Sequence, residues 1–319
     1  MAPADADGPD GRHWVELELE PGEEVTERVA VTNLSDRQVT FSLVAADGYF
    51  TATGRFNMLN NPEESVDAGT WIAIEPRVSV EPNETAVVPF TVAVPADAEP
   101  GDHAAGVAAA VTSAAGESGS GLGVTSRFGF RVMTRVAGEI RPGLEIQGLS
   151  GRYDVAWSPA KPGRLHVTFD LVNTGNVRLI VTGAVDAGGG NTAFPADKAP
   201  QIELLPGAQH SVETTVDGVW PLVSAKVAVT ALPAAVVLGE TEATELDAVA
   251  AQARVWTPPW PQLVCLAGLA LILAAILGGR SRSRKRIALM LEAARAEERA
   301  RAAASPSVSF EYPSQEDLR

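Results

Sequence analysis

One stretch constrains this chain before any other: from Val255 to Gly279 there is no charged residue, and Leu263–Leu277 (LVCLAGLALILAAIL) is almost wholly aliphatic. A helix needs about 20 apolar residues to cross the hydrocarbon core of a bilayer, and the run suffices once Trp260 and the flanking glycines are counted. Trp256 and Trp260 precede it, where indole rings favour the membrane interface, and Arg280, Arg282, Arg284, Lys285 and Arg286 follow at once. Such a cation cluster reads as a stop-transfer signal rather than the flank of a buried core helix, and the positive-inside rule puts the C-terminus in the cytoplasm. The expectation is a single-pass cell-membrane protein with a transmembrane helix over 261–279 and extracytoplasmic N-terminal domains. Export then requires a leader, and Met1–Gly11 (MAPADADGPDG) is polar and acidic with no apolar core. A precursor that begins upstream, or a start at a cleavage site, is expected.

Charge divides at the same place. Nine Arg or Lys and six Asp or Glu follow Gly279, leaving 16 basic and 34 acidic residues before it. The outer part is therefore near −18 and the inner tail near +3. An acidic ectodomain excludes nucleic acid as a partner, because phosphate neutralisation needs dense Lys and Arg. It also argues against plain electrostatic adhesion to anionic wall polymers. The only cysteine is Cys265, inside the apolar run, so the outer domains have no disulfides. An exported domain without disulfides, with abundant Ala and more Arg than Lys, suggests a bacterial protein.

The outer chain reads as strands. HWVELELE (13–20) alternates with period two, and VTERVAVTN, QVTFSLVAAD, TWIAIEP, VSVEP, TAVVPFTVAVP and AAGVAAAVT follow, each bounded by Pro, Gly, Asn or Asp. A Gly/Ser loop (GESGSGLG, 116–123) leads into the long strand SRFGFRVMTRVAGEI, which places Phe128, Phe130, Val132 and Val136 on one face and Arg127, Arg131 and Arg135 on the other. A second module begins near Leu144. VTFDLVNTGNVRLIVTGAV is expected to be a hairpin around Asn173-Thr174-Gly175-Asn176, with glycine supplying a positive φ. VAVTNLSDRQVTFSL in the first module echoes FDLVNTGNVRLIVTG in the second. ATELDAVAAQA is expected to be a short helix or linker, and IALMLEAARAEERARAAA a helix ending near Ser305-Pro306. The fold expected is all-β: two tandem immunoglobulin-like β-sandwiches plus one C-terminal transmembrane helix and a short helical cytoplasmic tail. Its boundaries are a disordered N-terminus over 1–11, a first sandwich over 12–137, a linker over 138–150, a second sandwich over 151–246, a stalk over 247–260, the span over 261–279 and the tail over 280–319.

No catalytic constellation is present: there is no GxSxG, HExxH, P-loop or SxxK, and no two of His13, His103, His166 and His210 stand at metal-ligand spacing. The expectation is a non-enzymatic protein without metal or cofactor. Three features are candidates for ligand binding. Asp102-His103 would hold a ligand or divalent ion, or else belongs to a Pro-Gly turn with the Asp bonded to its own backbone. Trp71 would stack on a sugar ring, or else fills the core between two sheets. The arginines Arg127, Arg131 and Arg135 would grip carboxylates bidentately, or else pair across strands with local Asp and Glu.

The run WVELELEPGEEVTERVAVTNLSDRQVTFSLVAADGYFTATGRFNML, then DAGTWIAIEP, then VPFTVAVPADAEPGDHAAGVAAAV resembles the WxL-interacting protein family, and in particular its peptidoglycan-binding domain. NTGNVRL and ELLPG look like the domain that follows, in its actinobacterial form. The resemblance implies a cell-surface protein that binds peptidoglycan through its first domain, with surface proteins of the WxL type or host proteins as partners of the second. Two rivals stand beside it. One is a chaperone-like assembly factor that pairs strand edges with a client surface protein. The other is an envelope sensor that signals through the cytoplasmic helix.

Overall fold

A computed structural model describes residues 1–113, 124–238 and 243–304. The Gly/Ser loop at 116–123 and the end of the tail lie outside the described residues. The chain divides into two compact units, one holding residues 1–156 and 161–258 and the other holding 157–160 and the chain from Pro259 onward.

The first unit is mostly β, with two short 3-10 turns at Pro62–Glu64 and Ala68–Trp71. Its N-terminal module runs β1 (Ala2–Ala4), β2 (Val15–Leu19), β3 (Glu24–Thr32), β4 (Val39–Phe50), β5 (Phe56–Met58), β6 (Ile72–Ile74), β7 (Arg77–Val80), β8 (Thr85–Ala93), β9 (Gly101–Ser113) and β10 (Val124–Val136). One sheet has the order β1-β3-β8-β6, and the other β2-β10-β9-β4-β5 with β7 also on β4. Val15, Val29, Val31, Phe90, Val107 and Val132 from both sheets meet in one core. The second module runs β11 (Leu144–Asp154), β12 (Gly163–Asn173), β13 (Leu179–Ala187), β14 (Gly190–Phe194), β15 (Ile202–Leu204), β16 (Gln209–Val219), β17 (Val223–Ala235), β18 (Thr244–Glu245) and β19 (Val249–Thr257). Its sheets are β11-β12-β16 and β14-β13-β17-β18, with β15 on β13 and β19 on β17. Alternation sets the inward face here: Leu165, Val167, Phe169 and Leu171 of β12 are buried against Val181, Val227 and Val229 of the facing sheet.

The expected hairpin at Asn173–Asn176 is not one. β12 and β13 lie in different sheets, and the turn is an arch between them. Fully buried Asn173 holds it, with Nδ2 donating to Val177 O (2.8 Å) and Leu204 O (3.1 Å) while Oδ1 accepts the Gly175 N–H (3.0 Å). Gly175 is not in the left-handed region; a Cβ there would stand 2.3 Å from Arg141 O, so the glycine serves close approach. Asn33 repeats the device between β3 and β4, donating to Arg37 O and Val80 O and accepting the Ser35 N–H. The local pattern is the same for a hairpin and an arch. The arch forms because both strands carry an apolar face that must enter one core from opposite sides.

Two other segments differ from expectation. The N-terminus, expected to be disordered, supplies β1, which pairs with β3 and buries Ala4. Residues 247–260, expected to be a stalk, hold β19. It pairs with β17 from Val223↔Thr257 to Ala231↔Val249 and brings Val255 into the core, so ATELDAVAAQA ends in a strand rather than forming a helix.

In the second unit, α1 (Trp260–Ala304) is one 45-residue helix, continuous through the basic cluster where a separate span and tail were expected. At 1.5 Å per residue it is about 68 Å long, roughly twice the thickness of a hydrocarbon core. It is long and apolar enough to cross a membrane, and its apolar stretch is exposed.

Candidate functional site

β10 is the longest strand of its sheet together with β9, and the two pair residue for residue from Val124↔Ser113 to Val136↔Gly101. On its other edge β10 meets β2 in parallel, and only from Val132 to Val136. Among the described residues no strand covers that edge over Val124–Arg131. The neighbouring β9 is built from small side chains (Ala104, Ala105, Gly106, Ala108, Ala109), so the sheet stays thin beside it. Phe130, Val132 and Val136 point into the core, with the Phe130 ring 6.4 Å from Phe90. Phe128, on the same face, lies beyond the end of the core and is 60% exposed. An open strand edge offers unpaired N–H and C=O groups in register, and an exposed large side chain at period two along it adds an apolar foothold.

The opposite face of β10 is engaged within the protein. Arg127 donates through Nη1 and Nη2 to Leu59 O (both 3.1 Å), and burial lowers its pKa. Arg131 Nη1 lies 3.3 Å from Glu203, with the guanidinium 4.3 Å from the Trp14 ring centroid. Arg135 grips its cross-strand neighbour Asp102 with Nε and Nη2, each at 2.7 Å, and donates to Val236 O. Glu203 and Val236 belong to the second module, so this face joins the modules. Asp102 also accepts the backbone N–H of Arg178 (2.7 Å). The Arg178 side chain, 2% exposed, reaches Glu16 of the first module (2.9 Å) and Glu203 (3.1 Å). Apolar packing completes the joint: Met133 and Ala104 meet Leu205, with Phe50, Phe56 and Ala208 around them. Arg178, Glu16 and Glu203 had no sequence signal beyond being charged residues beside apolar strands, since their partners are distant in the chain.

The other candidates separate. Asp102 and His103 are successive residues of β9 and serve opposite faces, so they form no shared site and no Asx turn. His103 contacts Asp67 Oδ1 through Nδ1 (2.7 Å) and Glu99 O through Nε2 (2.9 Å). Burial pushes its pKa down, but the Asp67 carboxylate, the Glu99 carbonyl and the nearby Asp102 charge together outweigh this and the net shift is upward. Trp71 is 8% exposed, packs in the core, and lies with its ring 4.6 Å from that of His103. Among the described residues no cluster of three or more His, Cys, Asp or Glu stands ready for a metal ion.

No family model matches the sequence, and no curated protein matches it either. Among solved structures, the chain is similar to the class 5 fimbriae chaperone CfaA, at 12% identity and a TM-score of 0.41, over 76% of this chain and 96% of that one. It is similar to a structure of the Salmonella enterica SafA pilin with the SafB chaperone, at 11% identity and a TM-score of 0.34, over 76% and 94%. The E. coli chaperone DraB aligns at 9% identity and a TM-score of 0.34, over 73% and 95%.

Proposed function

We propose that this chain is a membrane-anchored, non-enzymatic envelope protein that binds an extended segment of a client surface protein along the open edge of β10. The observation that carries the reading is the eight-residue stretch Val124–Arg131, paired on one side to β9 and, among the described residues, uncovered by a strand on the other, with Phe128 exposed beside it. A client strand added there would satisfy the edge groups through main-chain bonds and place alternate apolar side chains against Phe128. Two immunoglobulin-like sandwiches, each with strands crossing between its sheets on an Asn arch, would present that edge, and the ion-paired joint would keep it rigid. In this reading α1 is the anchor, supported by its length and apolar stretch, and the cations after Gly279 support a cytoplasmic C-terminus.

The wall-binding role implied by the family resemblance has less support from geometry. Arg131 and Arg135, which would meet stem-peptide carboxylates, already hold Glu203 and Asp102, and Trp71 is in the core.

The test is client capture by the full chain in producing cells, with a photo-crosslinker placed at Ser126, Phe128 or Val66. One surface protein should crosslink from 126 and 128 and not from Val66, which is exposed beside Asp47 of β4, on the other side of β9 from β10. Phe128→Asp should abolish its co-purification and Phe128→Leu should retain it. Equal capture by the Asp variant would overturn the proposal.

A further inference from the structure

The second module has an end made of the start of β17, the close of β16 and the close of β19. Val223 pairs with Thr257 and Ser224 with Trp256, and Val219 ends β16 opposite Gly163. Trp220, Leu222, Val223 and Trp256 are all exposed there, Leu222 at 75%. The β16–β17 connection is a tight turn in which the Leu222 N–H donates to Trp220 O (3.0 Å). Val223 follows at φ 74°, a left-handed conformation that a β-branched side chain adopts only under strain. The turn thus spends conformational energy to hold large apolar side chains outward, which folding of this module does not reward.

Two residues further along β19 and β17 the chemistry changes. Lys226 stands directly opposite Arg254, and both are exposed. Like charges in direct cross-strand register destabilise a sheet. Neither cation has an ion pair with a carboxylate among the described residues. An aromatic and aliphatic tip backed by unpaired cations is the order in which a lipid interface presents its own chemistry, acyl boundary first and phosphate above it. The chain supplies the proximity. Only Pro258 and Pro259 separate Thr257, the last residue of β19, from Trp260, the first of α1. At 3.8 Å per residue the two ends are at most roughly 11 Å apart.

We infer that this end of the second module seats on the membrane surface, with Trp220, Leu222, Val223 and Trp256 in the headgroup boundary and Lys226 and Arg254 on the phosphates of anionic lipids. The inference rests on the reading of α1 as a membrane span and is independent of the β10 edge. Seating would fix the height and tilt of the module instead of leaving it to swing on two residues.

The sole cysteine makes the test direct. The full chain is reconstituted into nanodiscs of three parts phosphatidylcholine to one part phosphatidylglycerol, with and without doxyl-labelled lipid. A fluorescent label is placed on Cys265 itself, or, in a Cys265→Ser background, on Leu222→Cys or on Val66→Cys. Quenching by the doxyl lipid should be strong at 265, and several-fold greater at 222 than at 66. Quenching at 265 with none at 222 above the level at 66 would overturn the seating and leave the anchor standing. No quenching at 265 would remove the anchor and the seating together. In nanodiscs without phosphatidylglycerol, Lys226→Glu with Arg254→Glu should behave as the unmodified pair does. With phosphatidylglycerol the double change should lower quenching at 222, and an unaltered value would remove the phosphate contacts from the account.

Discussion

Arg135 and Asp102 face each other in register across β10 and β9 and bond through two contacts of 2.7 Å, while the same carboxylate accepts the backbone N–H of Arg178 from the second module. One buried anion therefore serves both a strand pair and the joint between modules. Removing one partner of a buried pair leaves an uncompensated charge, at a cost of about 3–5 kcal/mol, whereas replacing both with apolar groups is often neutral. Asp102→Ala should lower stability by that amount, and Asp102→Leu with Arg135→Met should recover much of it. Urea unfolding checks this. The single variant should also uncouple the modules, giving two transitions. An unchanged midpoint would show that the joint does not depend on this pair.

Asn33 and Asn173 perform the same task at the two cross-sheet arches. Each is buried and bonded through both ends of its amide. Leaving buried backbone carbonyls without a donor costs about 1–3 kcal/mol. Asn33→Ala and Asn173→Ala should each destabilise the protein by roughly that much, with protection from hydrogen exchange lost first in the module that carries the change. Loss confined to the opposite module would contradict the assignment.

His103 makes stability depend on pH. Burial lowers its pKa, but the Asp67 carboxylate, the Glu99 carbonyl and the Asp102 charge together raise it by more, so the folded protein favours the protonated ring. A raised folded-state pKa means that the contribution is fully present below about 6.5 and is lost as pH rises through the folded value. His210 acts in the opposite sense, since burial alone lowers its pKa and the folded chain resists its protonation. The comparison that isolates His103 is therefore wild type against His103→Gln. Their difference in urea midpoint should be largest at the acid end of this window and shrink as pH rises. A difference that grows with pH would contradict the Asp67 contact.

Topology is tested by proteolysis. On wall-stripped cells, external protease should degrade the β modules and spare a tag placed after Arg319. Loss of the tag with survival of the N-terminal modules would reverse the orientation.

The mostly β character and the one apolar C-terminal helix were legible because each depends on local period and composition. GRLHVTFDLVN alternates strictly, and its buried positions follow that alternation. The arches were not legible. NTGN carries the same turn chemistry in a hairpin and in a sheet crossing, and the choice rests on how both strands enter one core, where Asn173 bonds Leu204 O, 31 residues away. The arginine face of β10 was visible as a face, but its partners were not. Arg131 meets Glu203 across 72 residues, and Arg135 meets Val236 O across 101. Trp71 showed the limit of reading residue type alone, since the same ring serves sugar stacking or core filling and only burial distinguishes them.

The central claim is that a client strand occupies the free edge of β10. Amide hydrogen exchange on the full chain, alone and with its captured client, tests it most directly. In the free protein the edge amides of Val124–Arg131 should exchange fast, while those of β12, inside its sheet, exchange slowly. In the complex the amides of Val124–Arg131 that point away from β9 should slow by an order of magnitude or more, with β12 and the amides already bonded to β9 unchanged. A complex that forms while this stretch exchanges as fast as before would contradict the account.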